Sequence, residues 1–214
     1  MARKFPPERT GLSNKEFQLL KKLNTGRKVQ DFLDGMPINF EEKGETYMSV
    51  QRTLKARRAH CFEGALLAAA AFYMHGQRPL LLDFKTHQDE DHLVAPFREG
   101  GLWGAVSKTN HMVLRYRDPV YKTIRELALS YFHEYFNKRG KKSLRSYALF
   151  SLASYKPEEW ISSKKELFNI IEDIETAKHT SLLPRFALKK LRPADPFVQK
   201  VSDIEEWRSR GKKR

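Results

Sequence analysis

The chain has 214 residues, 40% of them hydrophobic and 12% aromatic, so it is long enough to bury a core and is globular rather than disordered in composition. A single cysteine excludes an intramolecular disulfide and a multi-cysteine zinc or iron–sulfur site. Lys and Arg number 40 against 26 Asp and Glu, and the net charge of +14 either attracts acidic proteins or nucleic acid or forms a basic solvated surface. We expect a cytoplasmic protein without a membrane span, because no signal peptide is visible and the longest apolar run, residues 65–74, is too short to cross a bilayer.

The first third of the chain is predicted to be mainly helical. Residues 1–14 are expected to form a flexible arm, since Pro6 and Pro7 forbid a helix there. Ser13 is a residue type that caps helices, and it precedes an amphipathic helix and then a second helix of similar character. A further helix is predicted over residues 47–58, and it leads to the single cysteine.

A long apolar helix is predicted within residues 58–76, which are rich in Ala and Leu. Cys61 lies at its start, where the helix dipole and unpaired backbone N–H groups favour the thiolate, the form that attacks carbonyl carbon. Most free cysteines are instead small buried apolar residues, so position alone leaves both roles open. The neighbouring His60 is expected to point elsewhere.

A strand and then a hairpin are predicted after this helix. Residues 79–84 form a short apolar run, and residues 92–97 and 102–107 are extended segments on either side of a glycine turn. With a four-residue turn, His92 lies directly opposite Ser107, and the hydroxyl of Ser107 can orient one imidazole nitrogen.

A cysteine at a helix start and a histidine at a strand start fit the chemistry of cysteine nucleophiles. In such sites the histidine accepts the thiol proton and returns it to the leaving group, while a polar side chain orients the imidazole. Asn110, beyond the second strand of the hairpin, is an alternative orienter to Ser107. No metal-ligand spacing occurs around these residues, so we expect neither a metal nor another cofactor.

The remaining residues predict packing and surface rather than chemistry. Asp118 has the residue type of an N-cap and Pro119 suits a first helical position, so a helix is predicted from there toward Phe136. Residues 137–214 are predicted to form a C-terminal helical extension that ends in a basic tail.

Four stretches together resemble the transglutaminase-like domain of the papain-like cysteine hydrolase superfamily. They are residues 61–67 (CFEGALL), residues 76–79 (GQRP), His92 at the head of a strand and residues 101–103 (GLW) in the next strand. The helical segment upstream of the cysteine is also similar to the lead-in of bacterial members. The likeness covers roughly residues 23–131, and its order and spacing are more specific than any single motif.

This resemblance implies an α+β fold with a papain/transglutaminase-like core over residues 15–136, in which the nucleophile helix packs on a small antiparallel sheet, with additional N- and C-terminal helices. It implies Cys61 as nucleophile and His92 as general base and then acid. The family places an aspartate at the position that Ser107 occupies here, so Ser107 or Asn110 would orient the imidazole. The backbone N–H of Cys61, with Gln51, would bind the oxyanion.

Two functions follow as expectations. The first is a cysteine hydrolase or acyl-transfer enzyme that acts on an amide or thioester bond, with a peptide or another amide-containing molecule as substrate. The alternative is a catalytically inactive domain of the same fold that uses its basic surface to bind an acidic protein or nucleic acid.

Overall fold

The computed structural model describes residues 10–42 and 44–202, which form a mixed structure of helices and strands. The first elements are α1 (Asn14–Lys22), α2 (Gly26–Asp34), α3 (Val50–Ala56), α4 (Cys61–Met74), β1 (Leu80–Lys85), β2 (His92–Glu99) and β3 (Leu102–Val106). Next come β4 (Arg117–Tyr121), α5 (Ile124–Leu129), β5 (Ser146–Ser151), α6 (Pro157–Ile161), α7 (Phe168–Thr176), β6 (Thr180–Ser181), α8 (Arg185–Leu188) and α9 (Pro196–Ser202). In the described part of the chain, no helix has both the length and the apolar character needed to cross a membrane.

One six-stranded sheet organises the molecule, with strand order β4-β3-β2-β1-β5-β6 and antiparallel pairing throughout. Both of its faces are covered, which explains why β1 is a nearly continuous apolar run. Leu81 packs with α4 on one face, whereas Leu82 and Phe84 pack with Tyr131 and Leu127 on the other. The α+β class predicted from the sequence is confirmed at this level.

Helix α4 lies at the centre of the helical layer, because its surface is apolar on every side. It contacts α1, α2, α3 and α6 as well as β1, β2 and β3. The seven residues from Ala65 to Ala71 are fully buried. Small alanine side chains allow several elements to approach the same helix closely, and this fixes the start of α4 relative to the sheet.

The hairpin between β2 and β3 has a tighter turn than the sequence predicts. Glu99 pairs with Leu102, so only Gly100 and Gly101 form the turn, with φ of 57° and 84°. Glycine adopts such positive φ values without strain, and two of them suit a two-residue hairpin turn. The predicted direct pairing of His92 with Ser107 is therefore wrong, but the shift is by two residues and leaves both side chains on the same face.

The chain after the hairpin also departs from the prediction. Residues 117–121 are the edge strand β4 rather than a helix start, and Pro119 is tolerated there because an edge strand does not need every N–H group. The helix that follows is short and is capped by Thr123.

The predicted helical extension contributes strands as well. β5 pairs with β1 along its whole length and β6 adds to β5, so residues beyond 137 complete the sheet. At the other end of the chain, Ser13 caps α1 as predicted, and Glu16 completes the capping box. Most of the predicted arm and the final basic tail lie outside the described residues.

Candidate active site

Cys61 is the first residue of α4, and the imidazole of the preceding residue, His60, contacts its sulfur. The Nδ1 atom of His60 lies 3.4 Å from the Cys61 sulfur. His60 is the N-cap, with extended backbone angles (φ −101°, ψ −171°), so helical geometry does not carry its side chain away from the thiol. The prediction that His60 points elsewhere is wrong for this reason. An imidazole on the N-cap next to a helix-starting cysteine is the signal that finds it.

His92 is the second imidazole of the site. It is the buried first residue of β2, and its Nε2 atom lies 2.7 Å from the Oγ atom of Ser107. This contact joins diagonal neighbours of the two strands rather than a direct cross-strand pair. His92 also lines the cavity that contains Cys61 and helps to lower the pKa of its thiol. The structure therefore places His92 against Ser107 and puts Cys61 and His92 on the wall of one cavity.

Ser107 is itself held in place by a glutamine of α2. The Oε1 atom of Gln30 accepts the Ser107 N–H at 3.0 Å, and the Gln30 Nε2 atom donates to the Ser107 carbonyl at 2.9 Å. Gln30 is buried and also donates to Asp34 on its own helix. A side-chain amide that satisfies both backbone groups of one residue fixes the position of that residue, and so of the hydroxyl that orients His92.

The pKa of the Cys61 thiol is strongly lowered. Burial raises it, but the charge of His60, hydrogen bonds from His60 and His92, and the charge of His92 outweigh burial and lower the pKa to about 5 from an ordinary 9.0. The negative sulfur in turn raises the pKa of His60 to about 9, against burial and with help from Glu41 and Glu63. Both shifts favour a thiolate on Cys61 paired with an imidazolium on His60.

A small cavity of about 190 Å³ opens onto this pair. Its lining residues are Glu41, Glu45, Thr46, Tyr47, His60, Cys61, Phe62, Asp83, Lys85, Asp91, His92, Leu93, Ile171 and Glu175. Five of them are carboxylates and one is a lysine, so the wall is acidic although the whole chain carries a charge of +14.

Part of that acidic wall is neutralised by ion pairs within the fold. Lys85 lies 2.9 Å from Asp91 and 3.5 Å from Asp83, and the Nε2 atom of His179 lies 2.8 Å from Asp83. Within residues 10–42 and 44–202, no such ion pair is formed by Glu45 or Glu175. Glu45 and Glu175 therefore contribute negative charge to the cavity that no ion pair compensates within the described residues.

Two of the predicted site residues do not take the roles expected of them. Gln51 lies on α3, where its amide donates to Glu16 at 3.0 Å and to the Gly11 carbonyl at 3.3 Å, so it is directed toward α1 and does not line the cavity. Of the two alternative orienters, Ser107 is the one whose hydroxyl contacts the Nε2 atom of His92, and Asn110 lies beyond the end of β3. The sequence gives no sign that Gln51 would instead support α1.

The larger cavity of the described structure lacks the side chains of a nucleophilic site. A groove of about 1030 Å³ lies between α1, α2 and α3, but it contains neither the cysteine nor a histidine. In the part of the chain that the structure describes, no three His, Cys, Asp or Glu side chains are grouped to hold a metal ion.

Comparison with known proteins gives no further assignment. No protein-family model matches the chain, and no curated protein matches it. The geometry of the cysteine pocket is thus the main guide to function.

Proposed function

We propose that the protein is a transglutaminase-like cysteine hydrolase or acyl-transfer enzyme that acts on an amide or thioester carbonyl. The observation that carries this proposal is the placement of Cys61 at the start of α4, in a cavity, with His60 at 3.4 Å from its sulfur and His92 on the wall of the same cavity. A thiolate that exists at neutral pH is the nucleophile that such chemistry requires.

The reaction follows from these groups in two steps. The Cys61 thiolate attacks the carbonyl carbon to form a C–S bond, and the backbone N–H of Cys61 at the helix start stabilises the negative oxygen. The bond to the leaving group then breaks as His92, which has taken the thiol proton of Cys61, gives that proton to the leaving group, while His60 stays charged. Water or an amine attacks the resulting thioester while the now neutral imidazole takes its proton, and the thiolate leaves.

The two histidines have different duties in this proposal. His60 supplies the positive charge that keeps the sulfur ionised, because it is the largest electrostatic influence that lowers the thiol pKa. His92 transfers protons and is oriented by Ser107. A hydroxyl both donates and accepts, so Ser107 can hold the neutral and the charged imidazole alike, whereas an aspartate favours the charged one.

The acidic wall indicates the chemistry of the substrate. Glu45 and Glu175 face a cavity whose centre is the nucleophile, and in the described part of the chain no ion pair compensates either carboxylate. A focused negative potential raises the local concentration of cations. A peptide or other amide with a positively charged group near its reacting carbonyl suits this pocket best.

The test is detection of the acyl-enzyme. Incubation with a simple activated thioester or ester, followed by intact-protein mass spectrometry, should show one acyl group on Cys61. Cys61→Ala should show none, whereas His92→Ala should still be acylated by the activated reagent and should be slow only with an amide, whose leaving amine needs a proton donor. Failure of the unmutated chain to acylate, or equal acylation of Cys61→Ala, would contradict the proposal.

A basic binding module is the second candidate, and one observation favours it. Between residues 178 and 200 the exposed basic side chains are Lys178, Arg185, Lys189, Lys190, Arg192 and Lys200, against a single acidic residue, Asp195. Retention on an immobilised polyanion that weakens steeply with salt and is unchanged by Cys61→Ala would support this candidate. Absence of retention at low salt would remove it.

A further inference from the structure

The carboxylate of Glu63 lies inside the fold directly beneath the cysteine pocket. Glu63 is on the first turn of α4 and is fully buried. Its Oε2 atom accepts the backbone N–H of His60 at 2.8 Å. Its Oε1 atom accepts the Thr46 hydroxyl at 2.9 Å and the Met48 N–H at 3.4 Å. It is a buried titratable group that the two reaction steps leave unused.

The hydrogen bonds around Glu63 suit an ionised carboxylate. Two of its partners, the backbone N–H groups of His60 and Met48, can only donate, so they match a carboxylate that only accepts. Burial raises the pKa of Glu63 above its ordinary value, and these hydrogen bonds and the charge of His60 oppose that rise without reversing it. An ionised, buried carboxylate persists only where donors and a positive charge surround it.

The same carboxylate connects the nucleophile helix to one wall of the cavity. Thr46, which it binds, also donates through its backbone N–H to Glu41 at 2.7 Å and accepts from Asn39 at 2.8 Å. Glu41, Thr46 and the neighbouring Tyr47 line the cavity. The position of this wall and the position of His60 therefore depend on one buried group.

We propose, resting on the proposed function, that Glu63 is a positioning residue: its buried carboxylate fixes His60 and the cavity wall and supplies the negative charge that Ser107 does not supply. The group that orients His92, Ser107, is a neutral hydroxyl. Here the carboxylate acts on the other histidine, from within α4, and it touches neither the sulfur nor the reacting carbonyl.

Other charged groups face the same pair and must be separated from Glu63. They are Glu41 and Glu45 from the loop before α3, Asp83 and Lys85 from β1, Asp91 and His92 from the start of β2, and Glu175 from α7. The sulfur itself dominates the titration of His60. A Cys61→Ala background removes that coupling and leaves the effect of the carboxylates on the imidazole.

The experiment compares the titration of the His60 imidazole, followed by NMR, in Cys61→Ala and in Cys61→Ala with Glu63→Gln. Loss of the negative charge should lower the pKa of His60 by about one unit, because a nearby opposite charge favours the protonated imidazole. Glu172→Gln, an exposed position of α7 outside the cavity, makes the same charge change and should leave the His60 pKa unaltered. An unchanged His60 pKa in folded Glu63→Gln would overturn the proposal.

A second measurement decides the matter if Glu63→Gln does not fold. In the unmutated chain, the carboxyl carbon resonance of Glu63 should be that of an ionised group at neutral pH and should shift as His60 titrates. A protonated Glu63 at neutral pH, or no response to His60, would overturn the inference. Either of these outcomes would overturn the role of Glu63 and leave the proposed function unaffected. Failure of Cys61 to form an acyl-enzyme would overturn the proposed function, and the measured effect of Glu63 on His60 would still hold.

Discussion

At the scale of single residues, the site differs from the prediction mainly because two histidines, His60 and His92, influence the Cys61 sulfur. His92 was found from its place at the head of a predicted strand, and Ser107 from the alternation of the hairpin. Helical geometry would direct the side chain of His60 away from the thiol. As the N-cap, however, His60 has extended backbone angles, so the sequence prediction for it is wrong. Gln30 could not be found either, since its partner Ser107 is 77 residues away in the chain.

The two histidines should be distinguishable by thiol reactivity. In His60→Ala we expect the pH midpoint of Cys61 alkylation to rise well above its value in the unmutated chain, because the largest opposing charge is lost and burial then favours the neutral thiol. In His92→Ala the midpoint should rise less. The measurement is the rate of iodoacetamide labelling across pH, and a larger shift in His92→Ala would contradict the assigned duties.

At the scale of elements, the sequence predicts best what short apolar patterns control. The α4 helix and strands β1 to β3 follow from such patterns, and Gly100 with Gly101 marks the hairpin. Residues 117–121 form β4 although Asp118 and Pro119 are residue types that suit a helix start. The local sequence does not show that the edge of β3 is open for another strand to pair with it. β5 was missed because its partner, β1, is remote in sequence.

The close contact between α4 and the chain after β3 gives an element-scale prediction. A Cβ atom added at Gly64 would lie 2.4 Å from the Cβ atom of Lys108, whose side chain is buried and donates to the Met36 carbonyl at 2.5 Å. Gly64→Ala should therefore lower the free energy of unfolding by about 1–3 kcal/mol, as overpacking of a core does. Chemical denaturation followed by circular dichroism measures this.

Gly35→Ala is the matched control for that substitution. Gly35 ends α2 with a φ of −72°, and a Cβ atom there would meet its nearest neighbour at an ordinary 3.5 Å. The change should leave stability within about 0.5 kcal/mol or raise it slightly. Equal destabilisation by Gly64→Ala and Gly35→Ala would contradict the claim that Gly64 is needed for close packing of α4 against Lys108.

At the scale of the whole molecule, the charge of the cavity opposes the charge of the surface. Composition predicts a basic protein, with either an acidic partner or a basic solvated surface, but it does not show that Glu175 lines the same cavity as Glu41 and Glu45, because α7 is far from that loop in the chain. Binding of a polyanion to the surface and of a cation to the cavity are therefore compatible properties of the same fold.

Charged thiol reagents test the acidic cavity without knowledge of the substrate. A cationic methanethiosulfonate should modify Cys61 roughly tenfold faster than an anionic one of similar size, because the local potential attracts the former. Glu45→Gln combined with Glu175→Gln should reduce this ratio, and so should high salt, while Glu172→Gln should not. A faster anionic reagent would mean that the basic surface, rather than the cavity wall, controls access.

The central claim is that Cys61 rests as a thiolate paired with an imidazolium, and the pH dependence of its alkylation in the unmutated chain tests it most directly. Iodoacetamide reacts with the thiolate, so the rate should rise through a midpoint near the thiol pKa of about 5 and stay high at neutral pH. A midpoint near the ordinary thiol value of 9.0, or a thiol that iodoacetamide does not reach in the folded protein, would contradict the account.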